Sequence, residues 1–454
     1  MSAVPIAGIP ISEIPEKNLL AGFGLANQAV ARALSVRGFG VSIFDDKPKA
    51  GTFVAADGLD LELLVEPDER LLKETVKTAD MVIPSPGLPE HHPVFDIANT
   101  VGRPIASEFD LARIWDTRPI VAITGTSGKT TVTEMVVAAL SASGISAMAA
   151  GNLNVPLVTA IDQLDVEMFV VEASSFRLGH SQLFEPLVGC WLNFAPDHLD
   201  VHRDMTSYET AKAHLWKDLP EDAVAIANQD DATVMRHLPT NRTISTFSSK
   251  NSQAHWQIRH DKIFGPYGTI CTKHDLKRQR PHDLANALAM SATAIAAGAA
   301  AERVRETLCD YEPGSHRLQK VATIEGVEYY NDSKATTPHA TLAALEGFDS
   351  SVLIAGGRNK GLELSVLADR SERIHSVIAL GEAADEITDV FAGVRPVVSA
   401  DDMSHAVGLA QTLAKPPVTV LLSPACASFD SYNSYAERGE DFTQAVVELF
   451  KRKR

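Results

Sequence analysis

Short apolar runs alternate with turn residues and helix-periodic stretches along nearly the whole chain. Residues 18–23 read as an apolar strand that runs into Gly22-Phe23-Gly24-Leu25-Ala26-Asn27. A helical stretch to Arg37 follows, then a second strand at 41–44 that ends on Asp45, as in half of a nucleotide-binding βαβ unit. The pattern restarts after Arg118-Pro119, where Ile120-Val121-Ala122-Ile123 predicts a strand and a glycine-rich turn opens a helix near Lys129. Further strands are predicted at 168–171, 189–194 and 223–228, and the Ala-rich segment 283–301 reads as a closely packed helix. A third restart follows the turn cluster Glu312-Pro313-Gly314-Ser315, with candidate strands at 352–355, 376–380 and 418–422. Strands separated by helix-length stretches call for parallel sheets with crossover helices, so the class is α/β.

Length agrees with this reading, because 454 residues suffice for two to four domains at roughly 100–200 residues each. The boundaries are expected near 117 and 314, giving domains 1–117, 118–314 and 315–454. A formal charge of −17 argues against a nucleic-acid partner, since phosphate backbones are bound by clustered Lys and Arg. The one basic cluster, Lys451 to Arg454, reads as a solvated terminus. Cys190, Cys271, Cys309 and Cys426 lie far apart with no Cys-x-x-Cys pairing, which signals neither a disulfide framework nor a zinc site. The start lacks a basic segment and is broken by Pro5, Pro10 and Pro15, and no apolar run nears a membrane span, so a cytoplasmic protein is expected.

Chemistry concentrates first in Thr124-Gly125-Thr126-Ser127-Gly128-Lys129-Thr130-Thr131, between a predicted strand and helix. Glycines there let backbone N–H groups face phosphate oxygens, and the helix N-terminus adds positive potential. Lys129 can reach the terminal phosphates and the Thr130 hydroxyl can hold magnesium. The usual first glycine of a P-loop falls on Ile123. Glu172 follows the strand 168–171, where an acid can serve the other side of the cation.

The Thr-Gly-Thr-x-Gly-Lys-Thr-Thr form resembles the loop of the Mur ligases and of the folate-adding ligases, and later segments continue that resemblance in order. Asn193-Phe194-Ala195-Pro196-Asp197-His198-Leu199-Asp200 is similar to the motif whose histidine binds a second metal in this family, which implies that role for His198. Lys212, in Tyr208-Glu209-Thr210-Ala211-Lys212, matches a lysine that is carbamylated in the family and acts as a bridging carboxylate. His282-Asp283-Leu284-Ala285-Asn286 matches the helix opening near the adenine, implying a role for Asn286, and Ser315-His316-Arg317 matches a segment whose arginine contacts nucleotide phosphates. Asn331-Asp332-Ser333-Lys334-Ala335-Thr336 resembles the closing-domain loop, implying Asp332 at the ribose and Lys334, with Thr336, at the amino acid or phosphate. The resemblance implies Rossmann-like first and third domains around a central P-loop ATPase-type sheet. It also implies ATP and magnesium as cofactors, with Lys129, Glu172, His198 and Lys212 as the catalytic set and Gly125 to Thr131 around the phosphates.

Within the family, Leu421 to Asp430 and Tyr435-Ala436-Glu437-Arg438-Gly439-Glu440-Asp441-Phe442 resemble the branch that adds D-glutamate to UDP-N-acetylmuramoyl-L-alanine. That likeness places Ser428 at a glutamate carboxylate, Tyr435 where a packing phenylalanine is usual, and Lys360 at the substrate's side-chain carboxylate. Asp45, Asp46, Ser85 and Gly87, with Asn152, fall where the uridine-bearing precursor is expected. Arg177 and Gly179 stand where that branch usually shows Gln and Glu, and His202 is reminiscent of sister ligases. The implied reaction is phosphoryl transfer from ATP to a carboxylate, then displacement of phosphate by the amine, carried out by a monomer. Two alternatives stay open: a family ligase using another amino acid or a related nucleotide precursor, and an oxidoreductase built on Gly22-x-Gly24 and Asp45, under which the P-loop would go unused.

Overall fold

The computed structural model describes residues 13–152, 155–250 and 253–453; the first twelve residues and the basic side chains after Lys451 lie outside them. The chain forms two compact units, one of residues 1–194, 200–276 and 285–310, the other of residues 195–199, 277–284 and 311–454.

The first unit contains two sheets. Strands β1 (Lys17–Ala21), β2 (Gly40–Asp45), β3 (Leu63–Val65) and β4 (Met81–Pro84) pair in parallel in the order β3-β2-β1-β4. The helix Leu25–Val36 between β1 and β2 buries Ala26, Ala29, Val30, Ala33 and Leu34, the stripe that a period of 3.6 requires for one face on a sheet. Sequence order reverses between β1 and β4, the kind of switch point at whose carboxyl strand ends open parallel sheets take their ligands.

The larger sheet comprises β5 (Ile120–Thr124), β6 (Ala147–Gly151), β7 (Met168–Glu172), β8 (Val188–Trp191), β9 (Val224–Asn228), β10 (Thr243–Ser248), β11 (Trp256–Arg259), β12 (Lys262–Gly265) and β13 (Gly268–Thr272). Its order is β13-β12-β11-β10-β9-β8-β5-β7-β6. β5 and β7 are buried along their whole length, as strands covered on both faces must be, and both read as continuous apolar runs. The antiparallel extension β11-β12-β13 departs from the all-parallel expectation. Its strands are short and carry polar residues at every second or third place, so they offered no apolar run to read.

Between the two sheets in sequence, the helix Glu108–Trp115 is fixed by a capping box: Ser107 Oγ accepts from Phe109 N at 3.1 Å, and Asp110 Oδ2 accepts from Ser107 N at 2.9 Å. Asp110 Oδ1 also accepts from the backbone amides of Gln182 and Leu183, each at 2.8 Å. Phe109 stacks on Phe184 with ring centroids 4.5 Å apart.

In the second unit, β14 (Gln319–Ile324), β15 (Val327–Asn331), β16 (Ser351–Gly356), β17 (Ile374–Leu380), β18 (Val397–Ala400) and β19 (Thr419–Ala425) form a sheet in the order β14-β15-β19-β16-β17-β18. Only the β14–β15 pair is antiparallel. The helix predicted over 283–301 is two helices, Pro281–Ala296 and Ala301–Asp310, parted at Gly298, whose φ of +100° ends the first. Among the described residues, no helix is long and apolar enough to cross a membrane.

Candidate active site

Strand β5 delivers the chain into the glycine-rich turn, and the helix Lys129–Ala142 begins at its end with Gly128 as the N-cap. Gly128 has a φ of +88°, and a Cβ there would sit 2.7 Å from Asn286 Oδ1, so a larger residue would be strained and would push Asn286 aside. Asn193 fastens the turn from outside: its Oδ1 accepts from Ser127 N at 2.9 Å and its Nδ2 donates to Ser127 O at 3.0 Å. The Thr126 hydroxyl meets the Tyr208 hydroxyl at 3.1 Å. Lys129 Nζ donates to Gly125 O at 2.7 Å and to Thr126 O at 3.1 Å, folding the ammonium back over the loop. Thr130 and Thr131 occupy the first turn of the helix. A loop with a helix N-terminus and a lysine above it is an anion cradle.

Lys212 reaches the same loop from the helix Met205–Ala213. Its side chain is buried, lies over the ring of Tyr208 one turn earlier at 4.7 Å, and donates to Gly125 O at 3.0 Å. Two lysine ammonium groups therefore converge on one carbonyl oxygen. Glu172, the last residue of β7, is buried. Its Oε1 accepts from Asn152 Nδ2 at 3.2 Å, while among the described residues its buried Oε2 has no hydrogen-bond partner. An acceptor oxygen stripped of water and left bare is costly unless a cation completes it, so Glu172 suits a hard divalent ion.

The departure at Arg177 acquires a physical role. Its Nε donates to Glu108 Oε2 at 2.6 Å and its Nη1 to Asn152 Oδ1 at 3.1 Å, in a pair that is almost wholly buried. A chain of contacts thus runs from Glu108 through Arg177 and Asn152 to Glu172. Glu108→Ala leaves a buried guanidinium without its carboxylate and is expected to destabilise the protein by about 3–5 kcal/mol. The Glu108→Gln/Arg177→Gln double variant should recover much of that loss, as read from denaturant midpoints. A midpoint unchanged in Glu108→Ala would show that the pair contributes nothing. His202, the other departure, bridges Glu90 Oε1 at 2.6 Å and Ser175 Oγ at 2.8 Å. Burial works to raise the Glu90 carboxyl, but hydrogen bonds from His202 and the Arg203 amide, with the charge of His202, outweigh it and bring it down to about 2.

Four of the expected precursor residues, Asp45, Asp46, Ser85 and Gly87, lie at the carboxyl ends of β2 and β4, whereas Asn152 follows β6 in the larger sheet. Asp45 Oδ2 accepts from Phe23 N at 2.8 Å and its Oδ1 from Lys47 N at 2.9 Å, so this carboxylate shapes the turn. Asp46 pairs with His92 at 2.9 Å. Ser85 lies against Gly22, where a Cβ would approach the serine Cβ to 3.0 Å, and Gly87 is exposed in the same turn.

In the second unit, three adjacent strands, β15, β19 and β16, end in the loops that carry the expected amino-acid residues. After β15, Asp332 is buried, with Oδ2 accepting from Ser423 Oγ and Oδ1 from Leu318 N, each at 3.0 Å. Burial pushes its carboxyl up to about 7. Lys334 Nζ lies 5.2 Å from the ring centroid of Tyr435, and Thr336 N donates to Lys334 O at 2.9 Å. After β16, Lys360 is paired with Asp197. Burial works to raise Asp197, but the His198 and Lys360 charges hold it below the usual carboxylate range. His198 itself has a φ of +59° and its Nε2 lies 3.2 Å from Asp197 Oδ2. After β19, Ser428 is buried and its carbonyl accepts from Tyr432 N at 2.9 Å. Arg317 O accepts from Arg278 Nη1 at 2.7 Å.

The structure therefore gathers Gly125 to Thr131, Lys212, Glu172, Asn152 and Asn286 in one unit, and Asp332, Lys334, Lys360, Ser428 and Tyr435 in the other. Asn193, Tyr208, Glu108, Asp197 and Arg438 support these groups without having been marked as site residues by the sequence. Asn193, Tyr208, Asp197 and Arg438 stand inside motifs already singled out, whereas Glu108 carried no local signal because its partner is 69 residues away.

Residues 123–294 match the Mur ligase middle domain, and residues 316–426 match the Mur ligase, glutamate ligase domain. The chain is 36% identical to the UDP-N-acetylmuramoylalanine--D-glutamate ligase of Desulfosudis oleivorans, over 97% of this chain and 98% of the relative. It is 36% identical to the enzyme of the same name from Frankia casuarinae, over 98% and 95%. In fold it is similar to a pseudomurein peptide ligase type C from Methanothermus fervidus, with a TM-score of 0.60 at 17% identity over 96% of this chain and 100% of that one. The UDP-N-acetylmuramate-alanine ligase of Thermotoga maritima gives a TM-score of 0.56 at 17% identity, again over 96% and 100%.

Proposed function

This chain belongs to the Mur ligase family, whose D-glutamate-adding members match it nearly end to end, and from that premise we propose that it joins D-glutamate to UDP-N-acetylmuramoyl-L-alanine in peptidoglycan precursor synthesis. ATP is the phosphoryl donor, and ADP and phosphate are the products. The observation that carries this reading is the glycine cradle under Lys129 beside a buried glutamate with one bare oxygen.

The acceptor carboxylate is a poor electrophile, so its oxygen first takes the γ-phosphoryl group of ATP and ADP departs. The amine of D-glutamate then attacks the acyl carbon, a proton is lost, the C–N bond forms and phosphate leaves. Lys129 and the loop amides stabilise the charge that spreads over the phosphoryl oxygens. Thr130 and Glu172 would hold magnesium, which would supply positive charge to offset that of the phosphate groups. His198 and Lys212 are assigned to the same task, with Lys212 as its carbamate. Asn286, Arg317 and Asp332 serve the nucleotide. Asp45, Asp46, Ser85, Gly87 and Asn152 serve the precursor. Residues 1–117, 118–314 and 315–454 divide into precursor, ATP and amino-acid domains, and the protein acts as a monomer.

Phosphate release from ATP and magnesium should require UDP-N-acetylmuramoyl-L-alanine and respond to D-glutamate alone among D- and L-amino acids. Release driven by another amino acid would overturn the substrate assignment. Lys360→Ala and Ser428→Ala should each raise the KM for D-glutamate by about tenfold or more, because each removes a partner of a carboxylate, while the KM for ATP stays within about twofold. Equal changes in both constants would remove these residues from the amino-acid site.

A further inference from the structure

Arg438 is a fully charged side chain inside the second unit, 2% exposed, on the helix Tyr435–Lys453. Its guanidinium donates in three directions. Nε reaches Ser333 Oγ at 3.0 Å and Nη2 reaches Ser333 O at 2.8 Å. Nη1 reaches Cys426 O at 3.1 Å and, more weakly, Gly356 O at 3.4 Å. Ser333 and Cys426 lie in the loops after β15 and β19, and Gly356 is the last residue of β16; they stand one residue before Lys334, two before Ser428 and four before Lys360. One rigid, planar fork thus joins the three backbones that present the proposed amino-acid residues.

The surroundings are built for this approach. Gly357 has a φ of +125°, and a Cβ there would meet Ala427 O at 2.2 Å and Arg438 Nη1 at 3.0 Å, so the β16 and β19 loops come this close only with glycine at that place. Arg358 and Ala427 then exchange backbone hydrogen bonds at 2.8 and 3.0 Å. None of the hydrogen bonds of Arg438 goes to a carboxylate. Burying a charge on carbonyls and a hydroxyl is costly, and burial lowers its pKa to about 10, so packing alone gives no reason for an arginine here.

Resting on the proposed function, we infer that Arg438 is a positioning residue for the amino-acid substrate: it sets the spacing of the Lys334, Lys360 and Ser428 loops and places a buried positive charge, with no carboxylate hydrogen-bonded to it, beneath a site that receives a dicarboxylate. Lysine retains the charge but has no fork to bridge three loops, which separates the two contributions.

The test measures steady-state constants and ADP binding for the full-length wild type, Arg438→Lys and Arg438→Ala, with thermal melts to establish folding. Folded Arg438→Lys should raise the KM for D-glutamate about tenfold, with the KM for ATP, ADP affinity and kcat at saturating D-glutamate within about threefold of wild type. Arg438→Ala should raise that KM further, and millimolar guanidinium should lower it in this variant and not in wild type. The inference is overturned if a folded Arg438→Lys keeps the wild-type KM for D-glutamate, if both KM values rise together, or if neither variant folds, which would make the residue purely structural. Failure of wild type itself to use D-glutamate would instead sink the proposed function.

Discussion

Lys129→Ala is expected to lose ATP-dependent ligation while keeping its fold. In the folded protein the ammonium donates to two carbonyls of its own loop at 2.7 and 3.1 Å. Each such bond contributes about 0.5–1.5 kcal/mol, part of it offset by the freedom a long side chain regains, so the thermal midpoint should move by only a few degrees. Under the proposed function, catalysis depends on the same group differently. A charge poised over a phosphoryl group acts most strongly on the transition state, and losing one such donor lowers kcat by about a hundred- to a thousandfold. Phosphate release and a thermal melt on the same preparation check both halves. Near-normal turnover in a folded variant would refute the assignment of the loop.

Lys212→Ala should be nearly inactive, falling by at least about a hundredfold, and a small carboxylate such as acetate or formate should restore part of the loss. The ammonium groups of Lys129 and Lys212 share the carbonyl of Gly125. Like charges this close repel, most strongly where one is buried. Carbamylation removes the conflict: the neutral amine adds to carbon dioxide, an N–C bond forms, a proton departs, and a carboxylate stands where the cation was. That carboxylate is a hard oxygen ligand of the kind magnesium prefers. Enzyme stripped of carbon dioxide should lose activity and regain it with bicarbonate. Truncating a buried side chain also costs about 1–3 kcal/mol through the space it leaves and the donor Gly125 O loses, so a thermal melt must accompany the assay. Full activity in a folded Lys212→Ala, or an unmodified amine in the active magnesium-bound enzyme, would end the proposal.

The sequence by itself determined the class of fold, the glycine-rich turn after β5 and the order of the motifs, because each is written in local terms. Fully buried parallel strands are apolar runs, and β5, β7, β16 and β19 are such runs. The glycine-rich turn needs glycine where the backbone turns left-handed, as at Gly128, and Lys129 opens the helix that follows. The tertiary structure alone decided what depends on residues distant along the chain. The hairpin extension β11-β12-β13 has too little apolar pattern to announce itself, and cross-strand pairing defines it. That Arg177 finds Glu108 across 69 positions, that Lys129 and Lys212 share one carbonyl, and that Arg438 spans three loops follow from how the strands are ordered in their sheets. Charged side chains carry no periodicity that names their partners, and a buried charge shows its role only when the groups that satisfy it are seen in place.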